Sequence, residues 1–131
     1  MELVCIDTSV LIDHFRASDK RHTFLFRLTA RYRVQIPAIV RYEILRGDRL
    51  KDNFWLTYFA RQTILPFDAD CAGTAAHIYA LLKAANQLIG AEDILIAATA
   101  FTHKLPLATA NVRHFSRIDQ LQLITPDQLT A

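Results

Sequence analysis

At 131 residues, with 52% apolar and 21% charged side chains, the chain is long enough for one domain (residues 1–131) with a substantial core, and too apolar to be disordered. A net charge of +2 is too small to prove a nucleic-acid partner, and no run of about 18 apolar residues marks a membrane span. The positive charge is carried by eleven Arg against four Lys; the planar guanidinium suits phosphate, so this bias is compatible with RNA or DNA contact.

The first element is Leu3-Val4-Cys5-Ile6. It runs without polar alternation, as a parallel strand covered on both faces does, and it stops on Asp7. Helical spacing then predicts a short helix over 9–16, with Val10, Leu11 and Phe15 facing inward. Ala17-Ser18-Asp19 breaks it, and a helix over 20–31 follows, with Phe24, Leu25 and Leu28 inside and Arg27 and Arg31 outside. A strand over 34–36 is closed by Pro37, and a helix over 38–46 is expected to end in a left-handed cap at Gly47. Residues 48–61 read as a further helix, dense in aromatics, before a strand over 63–65 ended by Pro66. Asp68 caps a long Ala-rich helix to about residue 86, in which Gly73 is expected to allow close packing. Gly90 is a turn, residues 93–103 a helix, and 106–109 and 121–125 two last strands. Strands alternating with helices predict an α/β fold: a three-layer α/β/α arrangement around a central, mainly parallel sheet of four to five strands.

In such sheets ligands gather beyond the carboxyl ends of the strands, and there the acids stand out. Asp7 ends the first, central strand; it could also cap the next helix, although Thr8 and Ser9 could do that without placing an acid at a buried strand end. Glu43, one of only three glutamates, lies in a largely apolar helix and shares a face with Ile39. It could instead be an ordinary surface acid paired with Arg41 or Arg46. Asp93 opens the helix after Ile89-Gly90-Ala91-Glu92, where a first-turn acid also suits the helix dipole. Glu92 is expected to face solvent. Three carboxylates in one cleft repel unless a cation or protons intervene, and Mg²⁺, a hard oxygen-seeking ion, is the natural solution. Mn²⁺ can substitute. The histidines (14, 22, 77, 103 and 114) show no pairing suited to Zn²⁺. Such a cluster suits hydrolysis of a phosphodiester. Cys5 and Cys71 have no metal-ligand spacing, and Met1-Glu2-Leu3 lacks the basic start of a secretory signal, so a reduced, cytoplasmic setting is expected.

Four motifs then carry a resemblance that runs almost end to end. They are Ile6-Asp7-Thr8-Ser9-Val10-Leu11-Ile12, Tyr42-Glu43-Ile44-Leu45-Arg46-Gly47, Ile89-Gly90-Ala91-Glu92-Asp93-Ile94-Leu95-Ile96-Ala97-Ala98 and Thr109-Ala110-Asn111-Val112-Arg113-His114-Phe115. In this order and spacing the chain resembles a PIN-domain endoribonuclease, specifically a VapC-type toxin of a toxin–antitoxin pair. The resemblance implies that Asp7, Glu43 and Asp93 are the metal-binding and catalytic acids. Many relatives place a fourth acid in the last motif, where this chain offers Asn111 with His114 nearby. Asn111 could accept from a metal-bound water or could be a turn residue, and the departure favours one firm Mg²⁺ over two. Thr8, Ser9 and Thr109 are candidates for supporting or phosphate contacts. Among Arg41, Arg46, Arg113 and Arg117, some are expected to line an RNA groove. The family further implies a homodimer and a VapB-type antitoxin. Phe15, Phe24 and Phe26 with Phe54, Trp55, Tyr58 and Phe59 offer that partner a groove, although core packing explains most of them.

Two other classes are weighed. A phosphotransfer domain also puts an acid at a strand end, but a dehalogenase-like one wants a second Asp two residues after Asp7, where Ser9 stands. A receiver domain wants an early acidic pair and a late lysine. A catalytically weak PIN fold that only binds RNA is the other alternative, and retention of all three acids argues against it.

Overall fold

A computed structural model describes residues 1–129. Five strands, β1 (Glu2–Ile6), β2 (Tyr32–Pro37), β3 (Thr63–Leu65), β4 (Leu107–Ala108) and β5 (Leu123–Ile124), pair in parallel in the order β3-β2-β1-β4-β5. The first strand is therefore central, as its unbroken apolar run requires: Val4, Cys5 and Ile6 are all fully buried. The chain leaves β1 toward β2 on one side and returns to β4 on the other. A parallel sheet whose connections diverge in this way opens a crevice beyond the carboxyl ends of the diverging strands.

The connections are helical and cover both faces of the sheet. They are α1 (Thr8–Arg16), α2 (Phe24–Thr29), α3 (Ala38–Gly47), α4 (Phe54–Ala60), α5 (Ala69–Ala84), α6 (Ala91–Thr102) and the short α7 (Val112–Phe115). Helix α6 is the most deeply set; Ile94, Ile96, Ala97, Ala98, Thr99 and Ala100 are all buried. Its small residues let it lie close to α5 and β2. The buried apolar residues of the sheet and helices form one contiguous cluster. Among the described residues no helix is long and apolar enough to cross a membrane.

The differences from the expected elements have local causes. The helix expected over 20–31 is split into a 3-10 turn, Lys20–His22, and α2. Thr23 stands between them, capping Phe26 N with its hydroxyl at 3.2 Å and meeting His14 Nδ1 at 2.6 Å. Arg27 is not simply outside; its Nη1 donates to the carbonyls of Pro126 and Leu129. Residues 48–53 are a loop rather than the start of α4, because Lys51 (φ 51°) and Asn53 (φ 69°) adopt left-handed backbone that ends helical propagation. Gly47 is not a left-handed cap: no glycine has positive φ, and the chain leaves α3 through an extended Asp48. Gly73 faces open space, so it serves no close approach. Helix α7 and a terminal 3-10 turn, Pro126–Leu129, were not anticipated. Cys5 and Cys71 are free and buried, and burial pushes the Cys5 thiol up to about 12, which keeps it from forming a thiolate.

Candidate active site

Asp7 leaves β1 with its amide donating to Ala108 O at 3.2 Å, so the sheet itself sets its position. One strand over, Thr109 leaves β4 with its amide held by Ile124 O at 3.1 Å. This register brings the two side chains together at the crevice. Thr109 Oγ1 donates to Asp7 Oδ2 at 2.8 Å, and Ser9 Oγ donates to Asp7 Oδ1 at 2.6 Å. Asp7 occupies the N-cap position of α1 but its carboxylate makes no capping bond, which sets aside the simple capping role. The residue is only 4% exposed and, among the described residues, has no basic partner. Burial pushes its pKa up to about 6; the Ser9 and Thr109 hydroxyls pull against that rise, and the charge of Asp93 adds to it.

The second arm runs through the last motif. Thr109 Oγ1 accepts from Asn111 N at 2.8 Å, and Asn111 Nδ2 lies 3.0 Å from His114 Nδ1. That nitrogen is also 3.4 Å from Asp93 Oδ2. A proton on Nδ1 serves Asp93 and turns the Asn111 amide to present its oxygen; without it, Nδ1 accepts from Asn111. Asp93 sits in the first turn of α6, whose N-cap is Gly90, and burial raises its pKa while the His114 hydrogen bond and charge lower it. A continuous chain of polar contacts thus joins Asp93, His114, Asn111, Thr109, Asp7 and Ser9.

The third arm reaches Glu43 from the residue after Asp7. Thr8 Oγ1 donates to Glu43 Oε1 at 2.6 Å. Glu43 Oε2 lies 3.8 Å from Arg46 Nη2, and Arg46 Nη1 donates to Glu92 Oε1 at 3.1 Å. Glu92 is therefore not simply solvated; it is tied across the cleft mouth to α3. The three expected acids and Thr8, Ser9, Thr109, Asn111 and Arg46 stand in these two sets of contacts, which the backbone joins at Asp7–Thr8 and Glu92–Asp93. Arg113 is exposed on α7, outside it. Arg41 lies over the Phe59 ring at 5.8 Å, and Arg117 donates to the carbonyls of Gln87 and Leu88. The aromatic residues are mostly packing: Phe15 meets Phe54, Trp55 and Tyr58 edge to face at 5.0–5.4 Å.

Among the described residues, no three Asp, Glu, His or Cys side chains form a ready-made ligand set. Thr8 holds Glu43, and His114 holds Asp93. This donor set still fits Mg²⁺. It is made of hard carboxylate oxygens, and Mg²⁺ is typically bound through one or two carboxylates while keeping several waters. It does not fit Zn²⁺, since among the described residues one half-exposed imidazole, that of His114, is the nitrogen ligand beside these acids.

The Thr109 hydroxyl is the fully buried hinge of the network. Thr109→Val keeps the shape but strips a donor from Asp7 and leaves the Asn111 amide without its acceptor. It is expected to cost about 1–3 kcal/mol, read as a lower urea midpoint, with Thr109→Ser recovering most of the loss.

A family model for the PIN domain matches residues 4–121. Ribonuclease VapC1 of Methanocaldococcus jannaschii is 32% identical over 130 residues, covering 92% of this chain and 84% of that protein. Among solved structures, FitAcB from Neisseria gonorrhoeae superposes with a TM-score of 0.79 at 26% identity, covering 96% of this chain and 99% of that one. A toxin–antitoxin complex from Klebsiella pneumoniae gives a TM-score of 0.70 at 28% identity, covering 94% and 97%.

Proposed function

The chain belongs to the PIN domain family, and from that membership we propose that it is a Mg²⁺-dependent endoribonuclease, the toxin of a toxin–antitoxin pair. The observation that carries the reading is Asp7: an acid buried at the crevice of a parallel sheet, bonded to two hydroxyls and, among the described residues, to no basic side chain. A protein built only for stability gains nothing from burying an unpaired carboxylate, since the charged form is costly there. Perturbed acids of this kind gather at functional sites. The names of its relatives, a ribonuclease VapC1 and toxin–antitoxin complexes including a VapBC-1, support RNA as substrate and a VapB-type antitoxin as partner. A second copy of the chain is the other expected partner.

Asp7 and Asp93 would hold the ion, with Glu43 ligating it or orienting the attacking water. Bound there, Mg²⁺ supplies a coordinated water of lowered pKa and positive charge beside the scissile phosphate. The chain's own residues prepare that chemistry. Ser9 and Thr109 fix both oxygens of Asp7, so its lone pairs face the crevice in one orientation. Thr8 fixes one oxygen of Glu43, and the Arg46 guanidinium faces the other at 3.8 Å. His114 orients Asp93, and Asn111 lies beside that imidazole.

Incubation with single-stranded RNA tests this. Cleavage is expected with Mg²⁺ or Mn²⁺ and absent with EDTA, and Glu43→Gln is expected to slow it by about a hundredfold or more. RNA binding without any cleavage in Mg²⁺ would favour instead a PIN fold that only holds RNA.

A further inference from the structure

We propose that Tyr42 and Arg46 form a subsite for one unpaired RNA nucleotide beside the cut, Arg46 engaging its phosphate and Tyr42 stacking on its base. The inference rests on the ribonuclease reading and adds the form of the substrate, which must be single-stranded at that point.

Tyr42 immediately precedes Glu43 on α3 and is 53% exposed. It takes no part in the core cluster, so packing does not explain a large aromatic ring here. The described exposed aromatic rings are Phe26, Tyr42, Phe54, Tyr79 and Phe101, and Tyr42 alone adjoins an acid of the cleft in sequence. Arg46, one turn later, lies over this ring with its guanidinium carbon 5.0 Å from the centroid, and its Nη1 is 3.3 Å from the phenol oxygen. The same guanidinium faces Glu92 and Glu43, and 51% of its side chain is in water. Among the described residues it is the one Arg or Lys ion-paired to the cleft acids.

Each part suits a nucleotide. Exposed ion pairs contribute little, so Arg46 can exchange a carboxylate for phosphate oxygens without a large loss, and its planar fork matches that anion. A tyrosine face takes any base, and an arginine beside it adds a cation–π contribution. A base paired within an A-form helix cannot offer its face, which confines the subsite to unpaired RNA. Arg46 also supplies the positive charge that an RNA backbone needs where three acids would otherwise repel it.

The test uses the full chain in EDTA, so that nothing is cut, with a short fluorescein-labelled RNA and the same RNA annealed to its complement, followed by anisotropy. The parent is expected to prefer the single strand. Tyr42→Leu should weaken that binding by about five- to a hundredfold while Tyr42→Phe keeps it. Arg46→Gln should lower the slope of log affinity against log salt by about 0.7, the value for one phosphate contact on a single strand. With Mg²⁺ restored, Tyr42→Leu should raise KM and leave kcat unchanged, which a merely structural role would not do. Equal binding of single strand by parent and Tyr42→Leu, with the parent still cutting RNA, overturns the subsite alone. Tyr42→Leu losing affinity for an antitoxin but not for RNA overturns it too, in favour of a protein-binding role. A parent that neither binds nor cuts RNA in any form overturns the ribonuclease reading with it.

Discussion

Replacing Asp7 with asparagine is expected to abolish RNA cleavage while making the metal-free fold more stable at neutral pH. The loss follows from removing the innermost carboxylate of the cleft; the gain follows from its burial. Lifting a buried carboxyl from its ordinary value of 3.8 to about 6 penalises the folded, charged form by about 3 kcal/mol. Asparagine keeps an acceptor for one hydroxyl but offers an amide group to the other, so the net gain should be about 1–2 kcal/mol.

The pH dependence has a definite sign. Between 3.8 and about 6 the folded state holds a proton that the unfolded chain has released. The parent is therefore most stable with respect to this group below 3.8, loses that stability as pH rises through about 6, and levels off above. Urea titrations in EDTA across that window should show the parent falling relative to Asp7→Asn and the two converging at the acid end. An Asp7→Asn protein that cuts RNA at the parent rate in Mg²⁺ would refute the assignment.

The second large effect is structural. Phe115 is fully buried and belongs to α7, a helix of only four residues. So short a helix has little stability of its own, and the phenyl ring is what fastens it to the core. Phe115→Ala is expected to cost about 3–5 kcal/mol, against a total of about 5–15 kcal/mol for a typical domain. The thermal midpoint should fall by about 10–20 °C. Asn111 and His114 ride on the same segment, so cleavage below the melting range should also drop as Asp93 loses its partner. A midpoint within a degree or two of the parent would mean that α7 is held by something else.

How much of this was legible in the sequence depended on how locally each feature is encoded. Strand β1 was plain because two-sided burial writes itself as an unbroken apolar run. The long helix α5 shows itself by its Asp68 cap and α6 by its apolar positions. Helix α7 has too few residues to display a period, and residues 48–53 have an unremarkable helical composition that hides the left-handed Lys51 and Asn53. Thr23 looked like any polar residue inside a helix until its hydroxyl was seen capping α2. At the site, the acids were visible as acids out of place, and Thr109 as a polar residue ending a strand. Their partners were less so. The contact of Asp93 with His114 and that of Arg46 with Glu92 join distant segments, and only the fold decides such pairs. Tyr42 gave one signal, an aromatic residue a single turn before an arginine on the same helix face, and that spacing is too common to be specific.

The position of β1 between β2 and β4 also governs when the protein can become active during its own synthesis. Asp7 leaves the ribosome 102 residues ahead of Thr109. Until the strand carrying Thr109 has emerged and docked, Asp7 has its Ser9 partner but neither the Thr109 hydroxyl nor the strand beside it. A chain that stops short of Thr109 would therefore lack the assembled site, since non-local strand pairing cannot begin before its second strand exists.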